Sequence, residues 1–230
     1  MIKIGLTGSI GMGKSETAKI FSNLGIPVYD ADASVHKLYE PGNKGALAVR
    51  NLFPEAINKD GSVNRKILGD KVVGNTPNIK KLEKAIHPLL VIDRQFFFEK
   101  YKNSKAIVLD IPLLYETGGE KNVDYIVVVS TSKKLQKKRV LKRSDMTEEK
   151  FSKILNSQIP NKKKCEMADF VVDTSISIDD AEKQVLNILK KLKRKLCLLT
   201  AYIKLRLKDW IFLNILKANE TQLWVCLLNK

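Results

Sequence analysis

A chain of 230 residues with 44% hydrophobic and 29% charged side chains is long enough to bury one full core with a smaller subdomain, which excludes disordered and fibrous proteins. The net charge of +16, from 41 Lys and Arg against 25 Asp and Glu, suggests a polyanionic partner, either a nucleic acid or a phosphate-rich small molecule. The three cysteines are odd in number and widely spaced, so we expect a reduced, cytoplasmic protein. The amino terminus lacks the apolar core of a signal peptide. The sequence has no run of 18 uncharged apolar residues, so we expect no membrane span.

The first 32 residues have the pattern of a βαβ unit. A β-type run at residues 2–7 leads into a glycine-rich turn and then into a helical repeat, which Gly25 closes and Pro27 stops. A second short strand, Val28 and Tyr29, follows directly. Because such units build parallel sheets covered by helices, the pattern predicts an α/β fold.

Short apolar runs rich in Val and Ile predict that the sheet continues along the chain. These runs are Ala106–Leu109, Tyr125–Val129 and Phe170–Val172. We therefore expect one core domain, interrupted twice, that is made of residues 1–32, 106–132 and 165–195.

The first interruption, residues 33–105, has a mostly helical pattern and is predicted to form an inserted helical domain. Thr76-Pro77 is interpreted as a turn signal inside it. Because a residue that precedes proline disfavours the α conformation, His87 is expected to end a helix before Pro88.

The second interruption, residues 133–164, predicts two helices, Lys133–Arg143 and Glu148–Gln158. Ser177-Ile178-Asp179-Asp180 fits a capping box, so a last helix should begin near Ser177 and run through Lys195. In the tail, residues 196–230, charged side chains interrupt apolar ones. It could extend the last helix, pack on the core, bind a partner or lie on a membrane surface, and we favour a partly helical extension of unknown role.

The segment from Gly8 to Ser15 matches the phosphate-binding pattern G-x-x-x-x-G-K-[ST] at every fixed position. It lies between a predicted strand and a predicted helix, where glycines allow successive backbone N–H groups to face one phosphate chain. Lys14 is expected to bridge the β- and γ-phosphates, and the Ser15 hydroxyl to bind Mg²⁺. The residues predicted to hold the nucleotide in this P-loop are Gly11, Met12, Gly13, Lys14, Ser15 and Glu16.

A P-loop by itself does not distinguish GTPases, ATPases and small-molecule kinases. The chain does not match Asn-Lys-x-Asp, the guanine-recognition motif of GTPases, because Asn58-Lys59-Asp60 lacks the spacer residue. Ile107–Asp110 is a weak match to the acid-ended strand of a motor ATPase. The choice therefore depends on the acceptor side of the predicted cleft.

Asp30 and Asp32 follow the second predicted strand, at the sheet edge where ligands bind in open parallel sheets. A carboxylate at this edge can accept the proton of an attacking hydroxyl group. The alternative is that both residues cap the next helix, and this alternative is strongest for Asp30.

Taken together, the motifs resemble the dephospho-coenzyme A kinase family over residues 1 to about 192, in the expected order. Beyond the P-loop, the matching positions are Gly5–Gly8, Gly25–Val28, Asp30–Asp32, Gly61–Arg65, Ile86–Pro88, Asp110–Glu116, Arg139, Arg143, Asp145, Ser157–Pro160 and Ala168–Phe170. The Asp-Ala-Asp string and the Asp-x-Pro-Leu-Leu-aromatic-Glu string are more specific to this family than the P-loop is.

The resemblance implies an ATP-dependent kinase that uses Mg²⁺ and phosphorylates the ribose 3′-hydroxyl of dephospho-coenzyme A. It implies that Asp32 orients and deprotonates this hydroxyl and that Asp110 helps to hold Mg²⁺. It makes residues 1–32, 106–132 and 165–195 a nucleotide-binding core, residues 33–105 an acceptor domain and residues 133–164 a lid over ATP.

The remaining implied roles concern the two ends of the cleft. Arg139 and Arg143 are spaced i,i+4 on a predicted helix, so both guanidinium groups can clamp the ATP phosphates, with Arg139 catalytic. Arg65 and His87 are implied to contact the acceptor. Glu16 stands where the family has a small hydroxyl residue, and its backbone N–H still serves if the side chain turns outward.

Two alternative functions stay open from the sequence. One is a P-loop kinase of another small phosphorylated acceptor, such as a nucleoside monophosphate. The other is a nucleic-acid-binding ATPase, suggested by the charge, although no aromatic stacking cluster supports it and we expect no nucleic-acid partner.

Overall fold

The computed structural model describes residues 1–144 and 146–194. They contain a parallel sheet flanked by helices, which confirms the predicted α/β class. Asp145, Lys195 and the predicted extension 196–230 lie outside the described residues.

The sheet has five parallel strands in the order β2-β3-β1-β4-β5, and its strands lie where the apolar runs predicted them. They are β1 (Ile2–Thr7), β2 (Val28–Asp30), β3 (Ala106–Asp110), β4 (Tyr125–Ser130) and β5 (Phe170–Asp173). The strands on either side of β1, β3 and β4, are almost entirely apolar because helices cover both faces of a parallel sheet. All five residues of β3 are buried accordingly.

The strand register places the carboxyl ends of β1, β2 and β3 at one edge of the sheet. Leu6 of β1 pairs with Asp110 of β3, and Asp30 of β2 pairs with the same residue. The chain leaves β1 and enters the P-loop one residue later, after Thr7. The P-loop, Asp110 and the start of the inserted domain therefore meet at the carboxyl edge of the sheet.

The first helix, α1 (Lys14–Asn23), starts directly from the P-loop and packs on the sheet through Thr17, Ile20 and Phe21. Gly25 follows it with a φ of 77°, the left-handed conformation that ends many helices and that glycine adopts without strain. The predicted closing role of Gly25 is confirmed.

The inserted domain has its own core. Its helices are α2 (Ala31–Leu38), α3 (Lys44–Leu52), α4 (Arg65–Val72) and α5 (Thr76–Lys100), with a short 3₁₀ turn at Pro54–Ala56. Their apolar sides enclose one cluster of buried side chains: Ala46, Val49, Phe53, Ala56, Val63, Leu68 and Ile86. Helices here are stabilised by a common core, so the insertion is a packed unit.

Two interpretations of the insertion were wrong. Thr76-Pro77 is the first turn of α5, where proline is tolerated because the first N–H groups of a helix have no intrahelical acceptor. His87 does not end a helix, because Pro88 lies inside the 25-residue α5. Ile86 and its apolar neighbours on α5 pack into the domain core, and this packing outweighs the lost hydrogen bond.

The second interruption contains α6 (Lys133–Leu141), α7 (Glu148–Asn156) and α8 (Asn161–Glu166). Helices α6 and α7 begin at the predicted residues, and each ends two residues before its predicted end. Arg143 and Gln158, the last residues predicted for them, therefore lie after the helices. We keep the name lid segment for residues 133–164. Among the described residues, no helix combines the length and apolar character needed to cross a bilayer.

Residues 178–182 are helical, and the Asp180 N–H donates to the Ser177 side chain at 3.1 Å, as expected for the predicted cap. They close the first compact unit, residues 1–182. A second unit begins at Lys183, and its described residues 183–194 are helical.

Pro88→Ala should raise the free energy of unfolding by about 1–3 kcal/mol, because alanine restores an N–H donor in the interior of α5. Pro77→Ala is the matched control, since proline in the first turn costs little and its replacement should change stability by less than about 1 kcal/mol. Urea denaturation of both variants measures the difference. Equal or lower stability of Pro88→Ala would show that α5 is shaped around this proline.

Candidate active site

The P-loop is a tight backbone turn that leads into α1. The Met12 N–H donates to the Ser9 carbonyl at 3.2 Å, and Gly11 has a φ of 77°. Gly13 has a φ of 97° and is the N-cap of α1. A Cβ atom at Gly13 would lie 2.9 Å from Thr174 Oγ1, so glycine is required there for both conformation and space.

Lys14 forms an ion pair with Asp110 of β3, with 2.6 Å between Nζ and Oδ1. Asp110 is only 2% exposed. Burial raises the pKa of its carboxyl group above the ordinary value, and the charge of Lys14 opposes this rise without cancelling it. The nearby charges of Asp30 and Asp32 raise the same pKa further, so three carboxylates are grouped at this edge of the sheet.

A cavity of about 670 Å³ lies over the P-loop. It brings together all eight predicted nucleotide residues, which include both lid arginines, with the predicted base, although these segments are far apart in sequence. The predicted residues that line it are Gly11, Met12, Gly13, Lys14, Ser15, Glu16, Asp32, Arg139 and Arg143. Such a cavity is large enough for a nucleotide.

Asp30 and Asp32 have different roles in the local structure. Asp30 is the N-cap of α2, and its side chain accepts a hydrogen bond from the Ala33 N–H at 2.9 Å. Asp32 lies in the first turn of α2, is exposed and lines the cavity. The capping alternative therefore holds for Asp30, and the side chain of Asp32 faces the cleft.

Arg139 is held against the P-loop by Thr174, which follows β5. Its guanidinium donates to the Thr174 hydroxyl at 2.9 Å and to the Thr174 carbonyl at 2.7 Å. The same hydroxyl donates to the Met12 carbonyl at 2.7 Å. One threonine thus connects the lid arginine to the phosphate-binding backbone.

Thr174 was not predicted as a site residue. Its position directly after a strand, at the carboxyl edge of the sheet, was the available signal, because the P-loop leaves the same edge.

The side chain of Glu16 turns outward, which is the orientation that leaves its backbone N–H available to a phosphate. It pairs with Lys19 on the exposed side of α1 at 2.8 Å.

Arg65 and His87 do not line the cavity over the P-loop. Arg65 starts α4 and its Nη1 lies 2.7 Å from Nε2 of His36. His36 lines a neighbouring cavity with Asp32 and Ser15. His87 lies exposed in the middle of α5.

These features define a class of protein. A glycine-rich phosphate loop between the central β1 and α1, a parallel sheet, a carboxylate across the cavity and arginines from a helical lid segment are the parts of a P-loop kinase. In a protein of this class the P-loop holds the phosphoryl donor.

The comparisons with known proteins identify the family. A model of the dephospho-CoA kinase family matches residues 2–180. A dephospho-CoA kinase from Bradyrhizobium diazoefficiens is 50% identical over 188 residues, which are 81% of this chain and 93% of the relative. One from Brucella melitensis is 46% identical over 197 residues, covering 85% and 97% of the two chains. The chain belongs to the dephospho-CoA kinase family.

Solved structures agree with this assignment. A protein from Thermus thermophilus matches with a TM-score of 0.72 and 30% identity, over 83% of this chain and 97% of that one. A dephospho-CoA kinase from Campylobacter jejuni matches with a TM-score of 0.57 and 28% identity, over 82% and 96%. The resemblance inferred from the sequence motifs is confirmed.

Thr174→Val should weaken ATP binding by about tenfold, because it removes the hydroxyl that joins Arg139 to the Met12 carbonyl while keeping the side-chain shape. Isothermal titration with ATP measures the change. Thr117→Val is the control, because the Thr117 hydroxyl bonds the Leu113 carbonyl away from the cavity, and it should leave ATP affinity unchanged. An equal effect of both substitutions would contradict the role of Thr174.

Proposed function

We propose that this chain transfers the γ-phosphoryl group of ATP to the ribose 3′-hydroxyl of dephospho-coenzyme A, giving coenzyme A and ADP in the final step of coenzyme A synthesis. The observation that supports it most directly is the cavity in which Asp32 lies with the P-loop and both lid arginines. The family model that matches the chain names neither of the two alternative activities, which were a nucleoside monophosphate kinase and a nucleic-acid-binding ATPase.

In the proposed reaction the 3′-oxygen attacks the γ-phosphorus, and the bond from that phosphorus to the β,γ-bridging oxygen breaks. Asp32 orients the hydroxyl and takes its proton, while ADP leaves with the electron pair of the broken bond. Lys14 and Arg139 neutralise charge on the phosphates, with Arg143 beside them in the cavity. Because the transition state is loose, positioning and charge neutralisation matter more than proton removal.

Lys14 has donors for two partners in this cycle, because its ammonium carries three N–H groups. Its ammonium pairs with Asp110 at 2.6 Å, and its proposed role requires contact with the β- and γ-phosphates. The raised pKa of Asp110 indicates that the carboxylate is incompletely stabilised by Lys14.

Ser15 and Asp110 fit Mg²⁺, because a hydroxyl and a carboxylate offer the hard oxygen atoms that this ion prefers. Within residues 1–144 and 146–194, no group of three His, Cys, Asp or Glu is placed to hold a metal. ATP oxygens and water would complete the coordination, as is common for Mg²⁺. When bound, the ion neutralises charge on the β- and γ-phosphates.

The inserted domain, residues 33–105, is proposed to bind the acceptor, and the lid segment to cover ATP over the core. Arg65 and His87 are proposed acceptor contacts; of the two, Arg65 lies closer to the cleft, through its contact with His36. We also propose a cytoplasmic location and no nucleic-acid partner. The odd number and wide spacing of the three cysteines support the first, and the proposed use of basic residues in phosphate binding supports the second.

Asp32→Asn should reduce turnover by about 10²–10⁴-fold, because the amide cannot accept the proton of the 3′-hydroxyl. A coupled assay of ADP release with dephospho-coenzyme A measures it. Asp30→Asn is an isosteric control two residues away: asparagine is as good an N-cap as aspartate, so turnover should stay within about threefold. A loss below tenfold for Asp32→Asn would contradict the proposed base, and no turnover by the unaltered chain would contradict the proposed function.

Ser15→Ala should raise the Mg²⁺ concentration at half-maximal activity by about tenfold, because one oxygen ligand is lost. Titration of Mg²⁺ at saturating ATP measures the shift. Ser22→Ala, on the exposed side of α1, should leave the titration unchanged. An unchanged midpoint for Ser15→Ala would rule out the hydroxyl as a ligand.

A further inference from the structure

The backbone of Ile10, at the tip of the P-loop, is held by two glutamines from the lid segment. Gln136 of α6 donates from Nε2 to the Ile10 carbonyl at 2.7 Å, and Gln158 accepts from the Ile10 N–H at Oε1 at 3.1 Å. Gln136 is only 4% exposed and does not line the cavity. Its influence on a bound nucleotide must therefore pass through the backbone.

The contact from Gln136 fixes the direction of one peptide. Ser9 to Met12 form a turn closed by a 3.2 Å hydrogen bond, with Gly11 at its third position at a φ of 77°, as type II turns require. In a planar trans peptide the Ile10 carbonyl and the Gly11 N–H point in opposite directions. Holding this carbonyl toward α6 directs the Gly11 N–H away from α6, and Gly11 is a cavity residue.

The stretch that carries the second glutamine is itself anchored. Glu116 accepts from the Ile159 N–H at 2.9 Å and pairs at 2.8 Å with Lys164, whose side chain is fully buried. Burial alone raises the pKa of Glu116, but Lys164 and the Ile159 amide outweigh it and lower the pKa below its ordinary value. Asn161 adds a 3.3 Å contact from the Ser9 N–H. This part of the lid segment is therefore a fixed support for the P-loop.

We propose that Gln136 and Gln158 are positioning residues, which hold the Ile10 backbone so that the Gly11 N–H faces the polyphosphate of the nucleotide. They tie the two ends of the lid segment to the loop that the lid is proposed to cover. The proposal depends on the proposed function only in that the P-loop binds ATP or ADP. The two hydrogen bonds have opposite polarity: Gln136 is the donor to the Ile10 backbone, and Gln158 is the acceptor from it.

This polarity provides the test. Gln136→Glu and Gln158→Glu add the same charge with nearly the same shape, but only Gln136→Glu replaces a required donor with an acceptor that faces a carbonyl. Gln158 lines the cavity, so its added charge is screened by carrying out the calorimetry at about 0.5 M salt. ADP should then bind about 30-fold more weakly to Gln136→Glu and less than about fivefold more weakly to Gln158→Glu. Gln95→Glu, exposed on α5, is the control for charge alone and should bind ADP normally.

A second pair of variants removes the hydrogen bonds without adding charge. Gln136→Met and Gln158→Met should each weaken ADP binding by about tenfold. In the turnover assay, the KM for ATP should rise while the KM for dephospho-coenzyme A stays within about twofold, a selectivity that a general packing defect would not produce. Urea denaturation verifies that each variant is folded. If a glutamate variant does not fold, the ADP affinities of the two methionine variants test the proposal.

Equal losses for the two folded glutamate variants would overturn the proposal, as would normal ADP affinity in both methionine variants. ADP binding needs no acceptor, so the result is independent of dephospho-coenzyme A. Absence of turnover in the unaltered chain would contradict the proposed function and leave the calorimetric test intact.

Discussion

The register of β1 against β3 determines the geometry of the whole site. Leu6 pairs with Asp110, so the P-loop leaves the sheet beside a buried carboxylate and Lys14 can reach it at 2.6 Å. Since β2 pairs with β3 in the same sense, Asp30 ends at the same edge, and the first turn of α2 places Asp32 in the cleft. A slip of one residue in either pairing would turn Asp110 to the other face of the sheet.

The ion pair between Lys14 and Asp110 joins the P-loop to the centre of the sheet, with 2.6 Å between Nζ and Oδ1. A buried carboxylate without a cation would be costly, and Lys14 supplies that cation. Burial raises the pKa of the Asp110 carboxyl group, and the charge of Lys14 lowers it by less.

Much of this arrangement could be predicted from local patterns. The strands, the P-loop and the helix that follows it depend on apolar runs and on glycine, whose effects act within a few residues. The interior proline of α5 could not be placed in this way, because the packing of Ile86 and its neighbours compensates for a local defect. Thr174 and Gln136 were missed for a related reason: their partners, Met12 and Ile10, are more than 100 residues away.

The sequence by itself determined the α/β class, the phosphate-binding loop, the family and the identity of Asp32 as the best candidate base, since each depends on residue types at fixed spacing. Only the tertiary structure decided that Asp30 caps α2 while Asp32 faces the cavity. It also decided that Arg139 is held by Thr174 and that side chains of the lid segment fix the P-loop backbone. These are contacts between distant segments, and hydrogen-bond direction and burial are set by how elements pack rather than by local sequence.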